Sequence, residues 1–425
     1  MNLLQKDATY NWHPYSQEKT ALPPLLIVKG KNALLYDNDG RIYIDAISSW
    51  WCNAHGHCNE YISNRIKQQL DTLEHVLFGG VTHPLAIELS EKLITHLGKN
   101  QQRVFYSDNG STAVEVAIKM CLQYHFQKGR KKTTFIAFEN AFHGDTFAAM
   151  AASGISFFTH IFKDFFIEVK KIPLPTNENL SEVKIQLEKL IDENEVAGFI
   201  FEPLVQGSAG MKMYDANLLD ELISICKKNE VLTIADEVMT GFGRTGTLFA
   251  SHQLKNNPDI FCFSKALTGG FTPMAITTCS EEIYQTFYDD DINKAFFHGH
   301  TYTANPIGCA AALASLELTL KVFENRTIEK IQEKNKNFQH QLDKNLPIKN
   351  FRTLGIIMAF ELDVKEEASY YGKLRNELYK YFIENQIILR PIGNTIYIFP
   401  PYCITEKELE RIYEVILNIP KEILH

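Results

Sequence analysis

Six short apolar runs, separated by helical or turn-rich stretches, constrain the fold of this chain more than any other feature. They span residues 103–107, 133–138, 196–201, 231–235, 260–263 and 274–278. Strands that are buried on both faces of a parallel sheet read as continuous apolar runs, and helices commonly alternate with them. The pattern therefore predicts an α/β fold whose main sheet is mixed but mostly parallel and is flanked by helices.

The length of the chain and the texture of its two ends predict a second, smaller domain. A chain of 425 residues is too long for a single hydrophobic core. Residues 33–46 alternate apolar and polar around an Asn-Asp-Gly turn, which indicates a β-hairpin. Beyond residue 322 we predict helices at 324–345, 370–386 and 405–418, and strands at 354–362, 387–390 and 395–399. We therefore expect a large domain at 61–321 and a small α+β domain formed by 322–425 and the N-terminal segment 1–60.

Charge and composition exclude several classes of function. The 43 Lys and Arg residues against 51 Asp and Glu give a net charge of −8, and no basic stripe is present to bind nucleic acid. The sequence shows no signal peptide and no uncharged apolar run of membrane-spanning length, so we expect a cytoplasmic protein with no membrane partner. Eight cysteines without a C-x-x-C pair indicate reduced thiols. The His55/His57 and His298/His300 pairs have no further ligands at metal-site spacing, so no metal is predicted.

A small-residue turn between a strand and a helix is the first candidate site. The run at 104–120 ends its strand at Asn109-Gly110-Ser111-Thr112 and continues as a helix. Free backbone N–H groups and the helix dipole at such a turn favour a phosphate. The alternative is a plain helix cap, in which Ser111 or Thr112 only satisfies the helix start.

The run GFGRTG at 241–246 matches a glycine-rich dinucleotide pattern, but the context argues against it. The residues that follow show no helical periodicity and include an early Pro258. A dinucleotide site requires a helix at that point. We therefore interpret these glycines as shaping a turn or loop.

An acid and an amine follow two of the predicted strands. Asp236 comes directly after the run at 231–235, and Lys265 follows the run at 260–263. Open α/β sheets bind ligands at the carboxyl ends of their strands. A carboxylate there can pair with the nitrogen of a pyridine ring, and an amine can form an imine with an aldehyde. Alternatively, Asp236 is a helix cap and Lys265 a surface charge. Together with the phosphate seat, the two residues supply three anchors for pyridoxal 5′-phosphate.

Several blocks of the chain resemble a known family. The segments SDNGSTAVEVAIKM, FHGDT, ADEVMTGFGRTG, FSKALTGG and HGHTYTANPIGCAAAL occur in the order found in class III, fold type I pyridoxal-phosphate aminotransferases. The segments WHPY at 12–15, SSWW at 48–51 and LRPIGNTIYIFPPY at 389–402 are similar to the branch that converts 8-amino-7-oxononanoate to 7,8-diaminononanoate in biotin biosynthesis. The resemblance implies this transamination, with pyridoxal 5′-phosphate as cofactor.

The resemblance also implies roles for individual residues around the cofactor. Lys265 forms the imine and moves the proton, and Asp236 holds the ring nitrogen protonated. Gly110 and Ser111 hold the phosphate. Thr301 reaches the phosphate of a neighbouring subunit, which implies a homodimer with shared sites. The other implied cofactor contacts are a stacking Phe142, an adjacent His143, and His300.

The implied substrate pocket is aromatic with one distant cation. Arg390 binds the carboxylate of 8-amino-7-oxononanoate, for which a planar fork is suited. Tyr15 lines the pocket and joins Lys265 and Asp236 among the implied catalytic residues. The other implied contacts are Trp50, Trp51, Phe142, Gly299 and Tyr397. For the two tryptophans, ordinary core packing is the alternative.

Three departures from the family pattern leave the amino donor open. This chain has Phe142 where many members have Tyr, and His300 and Tyr302 where many have Pro and Phe. The donor is then S-adenosylmethionine or lysine. Two other functions remain alternatives: an omega-aminotransferase of the ornithine or 4-aminobutyrate type that uses 2-oxoglutarate, and a non-catalytic ligand-binding protein that retains the fold.

Overall fold

The central feature of the fold is a seven-stranded sheet. The computed structural model describes residues 1–98, 100–154, 159–364 and 372–424. The strands of the main sheet are β4 (Gln101–Ser107), β5 (Thr134–Phe138), β6 (Val169–Ile172), β7 (Val196–Phe201), β10 (Leu232–Asp236), β11 (Ile260–Phe263) and β12 (Ala275–Ser280). Their order is β4-β12-β11-β10-β7-β5-β6, and β12 alone among them runs antiparallel to its neighbours.

Helices connect these strands and cover the sheet. The α-helices of more than four residues in the described chain are α1 (Leu3–Tyr10), α2 (Glu60–Leu70), α3 (Pro84–Leu97), α4 (Gly110–Gln127), α5 (Phe147–Ala152), α6 (Leu180–Glu193), α7 (Ala216–Lys228), α8 (Glu281–Phe287), α9 (Pro306–Glu324), α10 (Thr327–Asn345), α11 (Lys373–Glu384) and α12 (Glu406–Leu417). Two large clusters of buried side chains form around the sheet. This arrangement confirms the predicted α/β fold with a mostly parallel sheet.

The remaining strands form three small sheets from distant parts of the chain. They are β1 (Ile27–Lys31), β2 (Leu34–Asp37), β3 (Ile42–Asp45), β8 (Val205–Gln206), β9 (Lys212–Met213), β13 (Ile348–Leu354), β14 (Ile357–Leu362), β15 (Ile387–Ile388) and β16 (Thr395–Ile398). Strand β3 pairs in parallel with β15, so the N-terminal hairpin and the C-terminal segment share one sheet. The domain boundaries at residues 60 and 322 remain predictions.

Helix α9 is long and apolar enough to span a membrane by length and composition alone. In the fold, 61% of its apolar window is buried. It packs against α2, α3 and the short 3-10 helix Lys265–Thr268. We therefore interpret α9 as a core helix.

One predicted strand begins later than expected. The pattern at 354–362 suggested a continuous strand, but the chain turns at Gly355, between β13 and β14. Gly355 has a φ of 56°, a left-handed conformation that glycine adopts easily. The turn packs against the loop at 241–246, where the Ile356 amide donates to the Arg244 carbonyl at 3.2 Å. No helix follows that loop directly, which agrees with the loop interpretation of GFGRTG.

Gly355→Ala is expected to lower the free energy of unfolding by about 2–3 kcal/mol. A Cβ at this position would lie 2.5 Å from three backbone atoms of the 244–246 loop, and φ is positive as well. Urea unfolding measures the change. Gly40→Ala is the matched control, because Gly40 has a φ of 82° with no neighbour within 4 Å, and we expect about 1 kcal/mol there. Equal losses in the two variants would contradict the proposed clash.

Candidate active site

Asp236 and Lys265 lie together at one edge of the main sheet. Asp236 is the last residue of β10, and Lys265 begins the short helix that follows β11. The two strands are parallel neighbours, with Asp236 opposite Cys262. Both side chains line a cavity of about 530 Å³. The sheet therefore brings the acid and the amine to the same cavity.

The carboxylate of Asp236 is held by a buried histidine. Asp236 is 4% exposed, and its Oδ2 lies 2.7 Å from Nδ1 of His143. The Val238 amide donates to the other oxygen at 3.1 Å. Nε2 of His143 is buried with no partner among the described residues. These contacts fix the orientation of a carboxylate that also faces the cavity.

Lys265 has an environment that favours a neutral amine. Its backbone is left-handed, with a φ of 47°, and its Nζ lies 4.6 Å from the centre of the Trp51 ring. Burial lowers the pKa of the Lys265 ammonium, and the nearby Asp236 carboxylate opposes this shift. A lysine with a lowered pKa is a better nucleophile towards an aldehyde.

The N-terminus of helix α4 also lines this cavity, through Asn109, Gly110 and Ser111. Asn109 caps the helix by accepting from the Thr112 amide at 3.0 Å. The Ser111 hydroxyl is therefore not needed as the cap, and it accepts from the Thr146 amide at 2.9 Å. A Cβ at Gly144 would overlap Ser111, so the loop approaches the helix closely. Exposed amides at a helix start are suited to a phosphate.

A second carboxyl group lines the same cavity, and the sequence analysis missed it. Glu202 is 6% exposed and accepts from the amides of Phe142 at 3.0 Å and Gly207 at 2.9 Å. Burial raises the pKa of Glu202 to about 8, and the charge of Asp236 contributes to the shift. Glu202 is thus mostly protonated at neutral pH. The surroundings of Lys265 are therefore less negative than they would be with an ionised Glu202.

An adjoining cavity of about 380 Å³ contains most of the predicted substrate residues. It shares five residues with the first cavity: Trp51, Phe142, Asp145, Ser208 and Lys265. The two cavities therefore lie side by side, with these residues between them. The predicted residues found in its wall are Tyr15, Trp50, Trp51, Phe142, Arg390 and Tyr397.

The aromatic side chains of this second cavity contact one another and a cation. The guanidinium of Arg390 lies 5.1 Å from the centre of the Trp50 ring, and Tyr15 meets Trp50 edge-on at 6.1 Å. Trp51 donates through Nε1 to the Tyr397 hydroxyl at 3.3 Å. Within the described part of the chain, no carboxylate forms an ion pair with Arg390. The cation is therefore available to a ligand at the end of an aromatic sleeve.

Tyr15 also contacts a residue that the sequence analysis did not single out. Its hydroxyl donates to the carboxylate of Asp145, which belongs to the FHGDT segment. Asp145 lines both cavities. The contact joins the N-terminal segment to the loop after β5. The two residues are 130 positions apart, so no local sequence pattern indicates the contact.

Three predicted site residues do not line either cavity in the described chain. Gly299 and Thr301 are exposed, and Nε2 of His300 is buried with no described partner. Nor do any three His, Cys, Asp or Glu side chains among the described residues group as metal ligands do. The HGHT segment does not complete the site of its own chain.

Pyridoxal 5′-phosphate fits the first cavity. The start of α4 with Gly110 and Ser111 suits the phosphate, the oriented carboxylate of Asp236 suits the pyridine nitrogen, and the Lys265 amine suits the aldehyde. The His143 ring that orients this carboxylate through Nδ1 has a buried Nε2 without a partner among the described residues. When bound, the cofactor supplies an electron sink for breaking a bond at the substrate carbon.

Glu202→Gln is expected to change how stability depends on pH. The native carboxyl holds its proton up to about pH 8, whereas the carboxyl of the unfolded chain releases it above its ordinary pKa of 4.5. Raising the pH from 5 to 8 therefore lowers the stability of the wild type relative to Glu202→Gln, by on the order of 3 kcal/mol. Urea unfolding of the cofactor-free protein at several pH values measures this.

Glu221→Gln is the matched control for this experiment. Glu221 lies on the surface with Lys184 at 2.8 Å, and this contact lowers its pKa. Its difference from wild type is then constant between pH 5 and 8. A constant difference for Glu202→Gln as well would contradict the raised pKa.

Comparison with known proteins places the chain in a family. The family Aminotransferase class-III matches residues 15–419. An adenosylmethionine-8-amino-7-oxononanoate aminotransferase of Synechococcus elongatus is 41% identical over 420 residues, which cover 97% of this chain and 98% of that protein. The protein of the same name from Helicobacter pylori is 36% identical, with coverage of 99% and 98%.

Solved structures agree with this placement. The crystal structure of adenosylmethionine-8-amino-7-oxononanoate aminotransferase from Methanocaldococcus jannaschii has a TM-score of 0.91 at 37% identity and covers 99% of this chain and 98% of that chain. An omega transaminase from Pseudomonas jessenii in complex with PMP has a TM-score of 0.91 at 27% identity, with coverage of 98% and 96%. The chain therefore belongs to the class III aminotransferases, which are pyridoxal-phosphate enzymes.

Proposed function

We propose that this enzyme transfers an amino group to 8-amino-7-oxononanoate and so forms 7,8-diaminononanoate in biotin biosynthesis. The main support is the aromatic cavity beside Lys265. Arg390 lies in its wall and forms no ion pair with a carboxylate of the described chain. A long apolar chain with a carboxylate at its far end matches such a sleeve. The names of the full-length relatives support this substrate.

The residues at the sheet edge have different roles in transamination. We propose that Gly110 and Ser111 bind the cofactor phosphate and that Asp236, held by His143, keeps the ring nitrogen protonated. Lys265 would hold the cofactor through its aldehyde. Once the amino donor displaced it there, the freed Lys265 amine would take up and return the proton at the substrate carbon. Phe142 lines both cavities and would stack on the ring of the bound cofactor, the role that the family resemblance implies.

The substrate wall is formed by Tyr15, Trp50, Trp51 and Tyr397. Arg390 binds the distant carboxylate through a planar pair of N–H donors. The rings exclude water along the chain of the substrate, which strengthens the ion pair at its end. Tyr15, held by Asp145, lies where it can orient the reacting end.

S-adenosylmethionine is the proposed amino donor, with lysine as the competing donor. The curated relatives carry adenosylmethionine in their names. Phe142 has no hydroxyl to offer a donor, but the Tyr15 hydroxyl and the Asp145 carboxylate are both present in the cavity wall. An anionic group of this kind suits a cationic donor, and both candidate donors are cationic.

A homodimer completes the proposed site. Gly299, His300 and Thr301 lie outside the cavities of their own chain, which agrees with Thr301 binding the cofactor phosphate in a second copy. We also propose a cytoplasmic enzyme. The eight cysteines, all of which lie in the described chain, are free thiols there.

Arg390→Ala is expected to lower kcat/KM for 8-amino-7-oxononanoate by at least about tenfold, because removing one member of a buried charge pair costs roughly 2–5 kcal/mol. Steady-state transamination with saturating donor measures this. Arg411→Ala is the matched control, since Arg411 pairs with Glu414 on the surface. A loss below about tenfold would contradict the carboxylate role. Turnover of 2-oxoglutarate with ornithine or 4-aminobutyrate, without turnover of 8-amino-7-oxononanoate, would contradict the proposed function.

A further inference from the structure

The two tryptophans of the substrate wall lie on a strained turn. Ser48, Ser49, Trp50 and Trp51 have φ values of 49°, 45°, 70° and 74°. Left-handed backbone is costly for residues other than glycine, and runs of it are rare. Such a turn persists only where surrounding contacts over-determine it.

One buried carboxylate accepts three hydrogen bonds at this turn, one from Ile47 and two from Ser49. Asp45, at the end of β3, is 0% exposed. Its Oδ1 accepts from the amides of Ile47 at 3.2 Å and Ser49 at 3.0 Å. Its Oδ2 accepts from the Ser49 hydroxyl at 2.8 Å and lies 2.8 Å from Nε2 of His57. A carboxylate with this many donors favours the turned conformation over an extended one.

The first residue of the turn is tied to the C-terminal part of the chain. The Ser48 hydroxyl donates to the Phe399 carbonyl at 2.8 Å and accepts from Nη2 of Arg244 at 3.0 Å. These bonds fix where the turn begins. They do not reach Ser49, which Asp45 holds through two hydrogen bonds. The Trp51 amide donates to the Ile47 carbonyl at 2.9 Å, and the Ile47 amide donates to Asp45, so the carboxylate holds the turn on both sides of Ser48.

The same carboxylate lies beside the strand that leads to Arg390. In the parallel pair of β3 and β15, Asp45 is opposite Ile388. Two residues later the chain reaches Arg390, whose guanidinium lies over Trp50. Trp51, on the other side of the turn, contacts both Lys265 and Tyr397. The turn therefore connects the far, cationic end of the cavity to the reacting end.

We propose that Asp45, supported by Ser49 and His57, is a positioning residue that sets the acceptor pocket through the strained turn. It holds Trp50 under Arg390 and Trp51 against Lys265 without touching either substrate or cofactor. The substrate part of this inference rests on the proposed function. The prediction is a change in acceptor binding while the cofactor remains bound.

The experiment uses the cofactor-loaded enzyme with Trp12→Phe as the parent. The chain has three tryptophans, so this change leaves Trp50 and Trp51 as the reporters. Labelling with 5-fluorotryptophan then gives one ¹⁹F signal for each. Trp50 is 40% exposed and Trp51 is 5% exposed, so the parent is expected to show one solvent-sensitive and one shielded signal when H₂O is replaced by D₂O.

Asp45→Ala is expected to make both signals solvent-sensitive and to raise KM for 8-amino-7-oxononanoate about tenfold, while kcat falls less than about threefold. Affinity for pyridoxal phosphate is expected to stay within about twofold of the parent, because Gly110, Ser111 and Asp236, which are proposed to hold the cofactor, do not belong to the turn, and only Trp51 of the turn lines the cofactor cavity. Asp45→Asn keeps the shape and one acceptor oxygen, so it covers the case in which the alanine variant does not fold. It is expected to change the same signals by a smaller amount.

Ser49→Gly provides the rescue. Glycine adopts positive φ at little cost. Adding Ser49→Gly to Asp45→Ala is therefore expected to lower the raised KM by at least about threefold. Asp220→Ala is the matched control. Asp220 is a buried carboxylate that accepts from the amides of Lys255 and Asn256 elsewhere in the fold, and its loss leaves the two signals unchanged.

Unchanged signals in both Asp45 variants would overturn the proposal, as would equal changes in Asp220→Ala or no rescue by glycine. The fluorine signals need no substrate. If the parent does not turn over 8-amino-7-oxononanoate, the proposed function fails, and the signals alone still decide whether Asp45 holds the turn.

Discussion

The parallel pairing of β10 with β11 is the constraint on which the site depends. Because neighbouring parallel strands end at the same edge, an acid at the end of one and an amine after the other are brought to one cavity. The third parallel neighbour, β7, adds Glu202 by the same geometry. The start of α4, which follows β4, faces the same space. The chemistry is thus distributed over residues 109–265 in sequence but is local in the fold.

Burial shifts the pKa values of two ionisable groups in the first cavity, Lys265 and Glu202. Burial disfavours charge on Lys265 and Glu202, whereas Asp236 keeps two donors, His143 and the Val238 amide. Two like-charged carboxylates in one buried cavity disfavour each other, and the raised pKa of Glu202 removes this repulsion from Asp236. A neutral Glu202 leaves Asp236 as the anion that a protonated pyridine nitrogen requires. The aromatic extension towards Arg390 then adds a single distant cation for a substrate carboxylate.

Much of the fold could be predicted from the sequence, because continuous apolar runs identify buried strands directly. Asp236 and Lys265 were found by their position just after such runs. Glu202 directly follows the apolar run 196–201, so the same rule could have found it. Asp145 and Asp45 act through contacts with Tyr15 and the Trp50 turn, and no periodic pattern records such contacts. The positive φ of four non-glycine residues is likewise invisible in sequence, since serine and tryptophan rarely adopt it.

The most direct test of this account is the identity of the residue that binds pyridoxal phosphate. The purified protein would be loaded with the cofactor, reduced with borohydride, digested and mapped by mass spectrometry. We expect one pyridoxyl group, on the peptide that contains Lys265, and none on that peptide in Lys265→Ala. Attachment at another lysine, or a cofactor that is released without reduction onto any lysine, would contradict the placement of the chemistry at the edge between β10 and β11.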